Sequence, residues 1–262
     1  MMKYELEVAI KAAKVAEKEI LAVYHTPFDV EIKEDNSPVT QADKKADEII
    51  RDILSHAFPE DGFLTEESAD TPERFNKKRI WIVDPVDGTK EFVSRNGEFT
   101  TNIALCQDHE IILGVINVPT SGVIYYAIKG QGAFRLEPGK EPVQIHVSSR
   151  KENLRSARSI SFFQPSEAAY MKNNRFHFEG DAKPVGAALK FARIAEGTFD
   201  FFVRLSNGTK EWDVAPGDLI VREAGGFMVE PSGSNFRYNR EDVYNRNGYL
   251  VGNALQPWML DF

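Results

Sequence analysis

An apolar strand that runs directly into two aspartates is the feature that most restricts the fold of this chain. Residues 80–83 (Ile-Trp-Ile-Val) predict a buried strand, and the sequence DPVDGT follows at once. Two carboxylates at the end of a buried strand repel each other and are costly to desolvate unless a cation or several donors compensate. Pro85 prevents a helix and favours a turn that lets Asp84 and Asp87 converge. The pair therefore needs a binding partner.

The donors around this pair favour a hard cation together with a phosphate. The carbonyl of Val86 lies between Asp84 and Asp87, so the donors in this segment are all oxygen. Such sites suit Mg²⁺, which keeps several waters and shares a substrate phosphate. Gly88 permits close approach of an anion to the backbone of the following turn, and the Thr89 hydroxyl can hold a water. The combination indicates metal-assisted hydrolysis of a phosphate ester.

Two further acidic clusters stand at the ends of predicted elements. Glu66 and Glu67 follow a short predicted strand, and Asp213 stands near the start of a helix predicted over about 213–224. Each cluster has an ordinary alternative interpretation. Glu66 and Glu67 can be solvated loop residues, and Asp213 can be a helix N-cap with Pro216 tolerated in the first turn.

The first part of the chain predicts two amphipathic helices. Apolar residues recur at helical spacing over residues 3–24 and again over 41–57. Thr40 is placed as the N-cap of the second helix, and Asp43, three residues later, completes a capping box.

Residues 99–136 then predict an antiparallel β-meander with short polar breaks. A segment rich in Gly, Pro and charge near residue 140 is the best candidate boundary. We therefore predict an N-terminal α+β subdomain, 1–140, with most of the metal ligands. A C-terminal α/β subdomain, 141–262, is predicted to hold the substrate pocket and Asp213.

Bulk properties narrow the function. The single cysteine, Cys106, excludes an intrachain disulfide, fits a reducing compartment and lies in a predicted apolar strand, which indicates an inert core thiol. The excess of 40 acidic over 32 basic residues disfavours binding to a nucleic acid polymer. The N-terminus lacks the features of a signal peptide, and no apolar run approaches the roughly 20 residues needed to cross a bilayer. We expect a cytoplasmic protein with no integral membrane association.

The motifs together resemble a known family. WIVDPVDGT, with EES upstream and WDVAPGD downstream, is similar to the inositol monophosphatase superfamily of Mg²⁺-dependent, commonly lithium-sensitive phosphatases. DGTKEF and GAALKFARIAEGTFDFFVRL look like its 3'(2'),5'-bisphosphate nucleotidase branch, whose members remove the 3'-phosphate of adenosine 3',5'-bisphosphate in sulfur metabolism. The resemblance implies an α/β (α+β) fold, a layered αβαβα sandwich. It also implies two or three Mg²⁺ ions, a small phosphorylated substrate and a monomer or homodimer.

The resemblance also implies roles for individual residues. The metal ligands that it implies are Glu66, Asp84, the Val86 carbonyl, Asp87 and Asp213. The amides of Gly88 and Thr89 would hold the scissile phosphate. Thr89, hydrogen-bonded to Asp43, would help to activate the attacking water, with Glu67 as a nearby acid.

Two basic residues match positions that contact the nucleotide in this branch, namely Lys190 and Arg204. A second phosphate needs such cations, although ordinary surface charge is the alternative. The chain departs from the branch at Ala187, where a serine is common, and at Pro216, where an alanine is usual.

Several alternatives remain open at this point. The same site can serve inositol phosphates or fructose 1,6-bisphosphate. A haloacid-dehalogenase type of enzyme has a similar D-x-D-G-T motif, but it needs aspartates two residues apart, whereas Asp84 and Asp87 are three apart. A regulator that binds metal or phosphate without catalysis is the non-enzymatic alternative.

Overall fold

A computed structural model describes residues 2–32 and 38–261 of the chain. The helices are α1 (Lys3–Tyr24), α2 (Gln41–Ala57), α3 (Thr89–Val93), α4 (Pro165–Asn173), α5 (Leu189–Ala195) and α6 (Glu211–Glu223). The strands of the first half are β1 (Val30–Ile32), β2 (Pro38–Thr40), β3 (Gly62–Thr65), β4 (Arg79–Asp87), β5 (Thr100–Gln107), β6 (Glu110–Val118), β7 (Val123–Ile128), β8 (Ala133–Leu136) and β9 (Val143–Ile145). Those of the second half are β10 (Ala157–Ser159), β11 (Lys183–Val185), β12 (Phe201–Arg204), β13 (Phe227–Val229) and β14 (Tyr249–Gly252). Short 3₁₀ turns lie at Pro72–Asn76, Arg175–His177 and Pro257–Leu260.

A seven-stranded sheet in the order β3-β4-β5-β6-β7-β8-β9 is the centre of the fold. Strands β3 and β4 are parallel, and every later pair is antiparallel. The predicted meander is thus confirmed. Cys106 lies buried and free in β5, and burial raises the pKa of its thiol to about 12, as expected of an inert core cysteine.

Five layers stack around two faces of this sheet. Helices α1 and α2 bury alanine and isoleucine against one face, and α5 and α6 cover the other. Beyond α5 and α6 lies the second sheet, in the order β12-β14-β13. Its far face packs on α4 and the last 3₁₀ turn through Tyr170 and Met259. Because each layer buries its apolar face or faces against the next one, the result is the predicted αβαβα sandwich.

The start of helix α2 follows the local sequence signal. Thr40 accepts a hydrogen bond from the Ala42 amide at 3.1 Å, and Asp43 Oδ2 accepts one from the Thr40 amide at 2.8 Å. The predicted capping box is therefore present.

Strand β4 corrects the predicted end of the buried strand at Val83. It continues through Pro85 to Asp87, and its register with β5 shifts between Asp84 and Asp87. A proline cannot donate to the ladder and is accommodated at such a bulge, where the Pro85 carbonyl instead accepts from Thr101 Oγ1 at 2.9 Å. The bulge, rather than a turn, sets the spacing of the two aspartates.

The seven-stranded sheet extends past the predicted boundary at residue 140, because β9 pairs with β8. Helix α6, from the second half, packs on β6 of the first. The division into two subdomains stays a prediction. In the part of the chain that the structure describes, no helix is both long and apolar enough to cross a membrane.

Gly217 lies where α6 packs tightly on α5, and we expect its substitution to destabilise the protein. A Cβ at this position would overlap Cγ of the buried Phe191 side chain and lie 2.8 Å from its Cβ and Cδ1 atoms. We expect Gly217→Ala to lower the free energy of unfolding by about 1–3 kcal/mol, although alanine favours a helix. In Gly208→Ala, the matched control, the new Cβ meets nothing within 4 Å. Equal denaturant midpoints for the two variants would contradict this.

Candidate active site

A cavity of 710 Å³ opens where the end of β4 meets α3, α5, α6 and β12. Most of the predicted site residues line it: Glu66, Asp84, Val86, Asp87, Gly88, Thr89, Lys190, Arg204 and Asp213. Asp43 lies behind Thr89, within contact of its hydroxyl, and Glu67 is the chain neighbour of Glu66. The fold therefore gathers into one place residues that are spread over most of the sequence.

Three carboxylates form the acidic centre of the cavity. Glu66, Asp84 and Asp213 each offer an oxygen within 4.8 Å of the others. Burial, followed by the charges of Glu66, Asp87 and Asp213, raises the pKa of Asp84 well above its ordinary value. Burial, followed by repulsion from Asp87 and Glu66, raises the pKa of Asp213 to about 8. The donors are all oxygen and the negative charge is concentrated, so these residues fit a hard divalent cation such as Mg²⁺.

Asp87 is held by two polar residues of β5 that the sequence reasoning missed. Its Oδ2 accepts from Asn102 Nδ2 at 3.2 Å and faces the Thr100 hydroxyl at 3.5 Å. Asn102, fully buried, also reaches the Trp212 carbonyl at 3.4 Å. That helical carbonyl lacks its usual donor four residues on, because Pro216 has no N–H. Burial raises the pKa of Asp87 to about 6, with Lys190 and Asn102 opposing the rise. The sequence carries one sign of this role, since the polar residues Thr-Thr-Asn at 100–102 begin an otherwise apolar strand.

The Thr89 hydroxyl lies between two candidate functional groups. Its Oγ1 is 3.3 Å from Asp43 Oδ1 and 3.3 Å from the Val86 carbonyl. Asp43 is 1% exposed, and burial raises the pKa of its carboxyl, which the hydrogen bonds from Thr40 partly oppose. Asp43 thus serves the capping box through one oxygen and faces Thr89 through the other, so the two interpretations of this residue are compatible.

Gly88 directly precedes helix α3 and has a backbone conformation that favours glycine. Its φ is +87°, and a Cβ here would lie 3.1 Å from the Ala187 Cβ. Ala187 is itself left-handed, with φ of +45°. The two small residues allow the α3 and α5 segments to approach closely at the cavity wall.

Lys190 and Arg204 are buried, so their interpretation as ordinary surface charge is wrong. Lys190 Nζ donates to the Ala187 carbonyl, and burial lowers the pKa of this amine to about 8, opposed chiefly by Asp87. Arg204 donates to the Phe162 carbonyl and to Ser159 Oγ, the latter at 2.7 Å. Arg204 therefore also holds the chain segment that forms one cavity wall.

Helix α6 begins at Glu211, two residues before the predicted start. Asp213 is therefore the third residue of the helix, and its Oδ2 accepts from the Lys210 amide at 2.6 Å. The N-cap interpretation of Asp213 is wrong, and Pro216 lies in the second turn rather than the first. This hydrogen bond directs the Asp213 side chain toward the N-terminus of α6, where the residue lines the cavity.

The five alternating layers form an αβαβα sandwich, and its cavity has an all-oxygen acidic centre that fits a divalent cation and a phosphate. The sequence matches the profile of the inositol monophosphatase family over residues 1–261. The chain belongs to the inositol monophosphatase family, whose members are phosphomonoesterases.

Curated and solved relatives are similar over nearly their whole length. The 3'(2'),5'-bisphosphate nucleotidase CysQ of Escherichia coli (strain K12) is 35% identical over 250 residues, which cover 94% of this chain and 98% of that protein. The crystal structure of CysQ from Bacteroides thetaiotaomicron has a TM-score of 0.85 at 33% identity, covering 97% and 98% of the two chains. That of the extragenic suppressor protein suhB from Bartonella henselae has a TM-score of 0.81 at 31% identity, covering 96% and 94%.

Proposed function

We propose that this protein is a Mg²⁺-dependent 3'(2'),5'-bisphosphate nucleotidase that converts adenosine 3',5'-bisphosphate to AMP and phosphate. The observation that carries the proposal is one cavity with an acidic centre and two buried cations, Lys190 and Arg204. A bisphosphate presents one phosphate for hydrolysis and a second that needs positive charge. The curated relatives named for this activity support the choice. We also propose that the protein is located in the cytoplasm and acts in sulfur metabolism.

The carboxylates would hold two or three Mg²⁺ ions. Glu66, Asp84 and the Val86 carbonyl would hold one, and Asp84, Asp87 and Asp213 another. When bound, Mg²⁺ would neutralise the phosphate, make a water more acidic and stabilise the leaving oxygen. The short carboxylate separations and the raised pKa values of Asp84 and Asp213 support this assignment.

Thr89 and Asp43 would handle the proton of the attacking water. The Thr89 hydroxyl donates toward Asp43 Oδ1, which leaves its own oxygen lone pairs to accept a hydrogen bond from the water. Asp43 can then take a proton at Oδ1 while Thr40 holds its other oxygen. Glu67 would add a nearby negative charge. The amides of Gly88 and Thr89, at the first turn of α3, would orient the phosphate.

The remote end of the substrate would meet Lys190. Its ammonium lies near Asp87 and inside the cavity, so it can turn from the Ala187 carbonyl toward a phosphate. Arg204 would act both as charge and as support for the wall that contains Phe162. Ala187 offers no hydroxyl here, which keeps inositol phosphates and fructose 1,6-bisphosphate as competing substrates.

A substrate panel tests the proposed function. We expect kcat/KM with Mg²⁺ to be at least about tenfold higher for adenosine 3',5'-bisphosphate than for inositol 1-phosphate or fructose 1,6-bisphosphate. The reason is that only the nucleotide pairs a 3'-phosphate with a distant second phosphate and a base, and each tenfold needs only about 1.4 kcal/mol of added transition-state binding. Phosphate release is measured with and without Li⁺, which we expect to inhibit. A higher value for either other substrate would overturn the nucleotide assignment.

A further inference from the structure

We propose that Arg74 and Glu211 both bind the chain at Asn239–Arg240 through hydrogen bonds and thereby set the separation of Glu66 and Asp213. We call these four residues the turn clamp: Arg74, Glu211, Asn239 and Arg240. They are positioning residues that act on metal affinity through the ligands. The inference rests on the metal site of the proposed function and extends it to residues outside the cavity.

One side of the clamp belongs to helix α6. Glu211 is fully buried, and its Oε2 accepts from the Asn239 amide at 2.7 Å. Its Oε1 accepts from the amide and from Nε of Arg240, at 2.9 and 3.0 Å. Both carboxylate oxygens are therefore engaged by one turn. Because Glu211 stands in the same helical turn as Asp213, fixing Glu211 fixes where Asp213 enters the cavity.

The other side belongs to the connection that starts at Glu66. Arg74 lies in the 3₁₀ turn Pro72–Asn76 between β3 and β4, and its side chain is 1% exposed. Asp70, four residues earlier in the same connection, orients the guanidinium by accepting hydrogen bonds of 2.6 and 3.0 Å. Arg74 then donates to the Arg240 carbonyl at 2.7 Å and to Asn239 Oδ1. The Glu66 connection is thus tied to the turn that also holds α6.

A tie of this kind is needed because the ligands repel each other. Glu66, Asp84 and Asp213 come within 4.8 Å of one another, and carboxylates at this distance repel each other. Without a cation, this repulsion favours separation of the loop from the helix. A buried guanidinium and a buried carboxylate on one turn resist that separation. Supporting partners of metal ligands commonly change metal affinity by about 10–100-fold when removed.

The test measures Mg²⁺ binding directly. Calorimetric titration of substrate-free protein with Mg²⁺ should give a dissociation constant about tenfold higher for Arg74→Met and for Glu211→Gln than for wild type. The Mg²⁺ concentration for half-maximal turnover should rise in parallel. At saturating Mg²⁺, kcat and substrate KM should return to within about twofold of wild type, because neither residue contacts the substrate. Asn239→Gly, which removes one acceptor but tolerates the φ of +57°, is a milder variant with a smaller shift in the same direction.

Arg155→Met is the matched control. Arg155 donates to the fully buried Asp200 at 2.9 and 2.8 Å. This ion pair resembles that of Arg240 with Glu211, because a partly exposed arginine meets a buried carboxylate, but it lies outside the cavity lining. We expect this variant to lose stability and to keep wild-type Mg²⁺ affinity. Unchanged affinity in Arg74→Met and Asn239→Gly, or an equal loss in Arg155→Met, would overturn the inference. If wild type itself binds no Mg²⁺, the proposed metal site fails, which is a different result.

Discussion

Asp84→Asn is expected to reduce kcat/KM by about 10³-fold or more, the largest effect that we predict for a single substitution. Asp84 is 1% exposed and is shared by both proposed metal positions. A neutral amide in its place therefore weakens the binding of Mg²⁺ at both positions. A loss of 10³-fold corresponds to about 4 kcal/mol of transition-state stabilisation. Phosphate release at a series of Mg²⁺ concentrations measures it. Wild-type turnover at the same Mg²⁺ concentration would show that the metal assignment is wrong.

The same variant should be at least as stable as wild type when no metal is present. Burial and neighbouring carboxylates raise the pKa of Asp84, so its charge disfavours the folded state above the pKa of the unfolded chain. Asparagine removes that charge. We expect the melting temperature without Mg²⁺ to stay equal or rise, while the increase that Mg²⁺ gives wild type disappears. Asp52→Asn, on the exposed face of α2, is the control and should change neither activity nor the Mg²⁺ response.

Thr89→Val and Asp43→Asn should each reduce kcat by about 10²-fold, and the double variant should be little worse than either. The Thr89 hydroxyl and Asp43 Oδ1 are 3.3 Å apart and are proposed to move one proton between them. Groups that act as a unit lose their joint effect once either is removed. The measurement is kcat at saturating Mg²⁺ and substrate for the two single variants and the double variant.

Helix capping must be separated from this effect, since Asp43 also belongs to the capping box. Thr40→Ala removes the hydroxyl that caps α2 and donates to Asp43 Oδ2, but it keeps the Thr40 amide bond to that oxygen and the contact of Asp43 Oδ1 with Thr89. It should cost about 1 kcal/mol of stability and change kcat only a few-fold. If the losses in Thr89→Val and Asp43→Asn instead multiply to about 10⁴-fold in the double variant, the two residues act independently and the proposed proton path is incorrect.

Features that depend on neighbouring residues could be predicted from the sequence, whereas features that depend on pairing between distant segments could not. The capping box of Thr40 and Asp43 depends on residues three apart, and it was predicted correctly. The continuation of β4 through Pro85 was not predicted, because the bulge exists only in the pairing with β5. Asn102 was missed for the same reason, since its target Asp87 lies 15 positions earlier in the chain.

The burial of Lys190 and Arg204 is a second feature that the sequence did not predict. Their side-chain types suggested phosphate contacts, but surface charge was an equal alternative until burial was known. Burial depends on which layers pack together. The turn clamp is harder still to predict from the sequence, because Arg74 and Arg240 are 166 positions apart and neither lies in a recognisable motif.

The sequence by itself determined the donor chemistry, the capping box of α2 and the family, because these depend on residue type and on spacings of a few positions. Oxygen donors at Asp84, Val86 and Asp87 restrict the metal before any fold is known. Only the tertiary structure decided which distant groups share the cavity and how far apart they lie. The 4.8 Å approach of Glu66, Asp84 and Asp213 arises from a loop, a strand end and a helix start. Packing between layers brings these elements together against the repulsion of their charges.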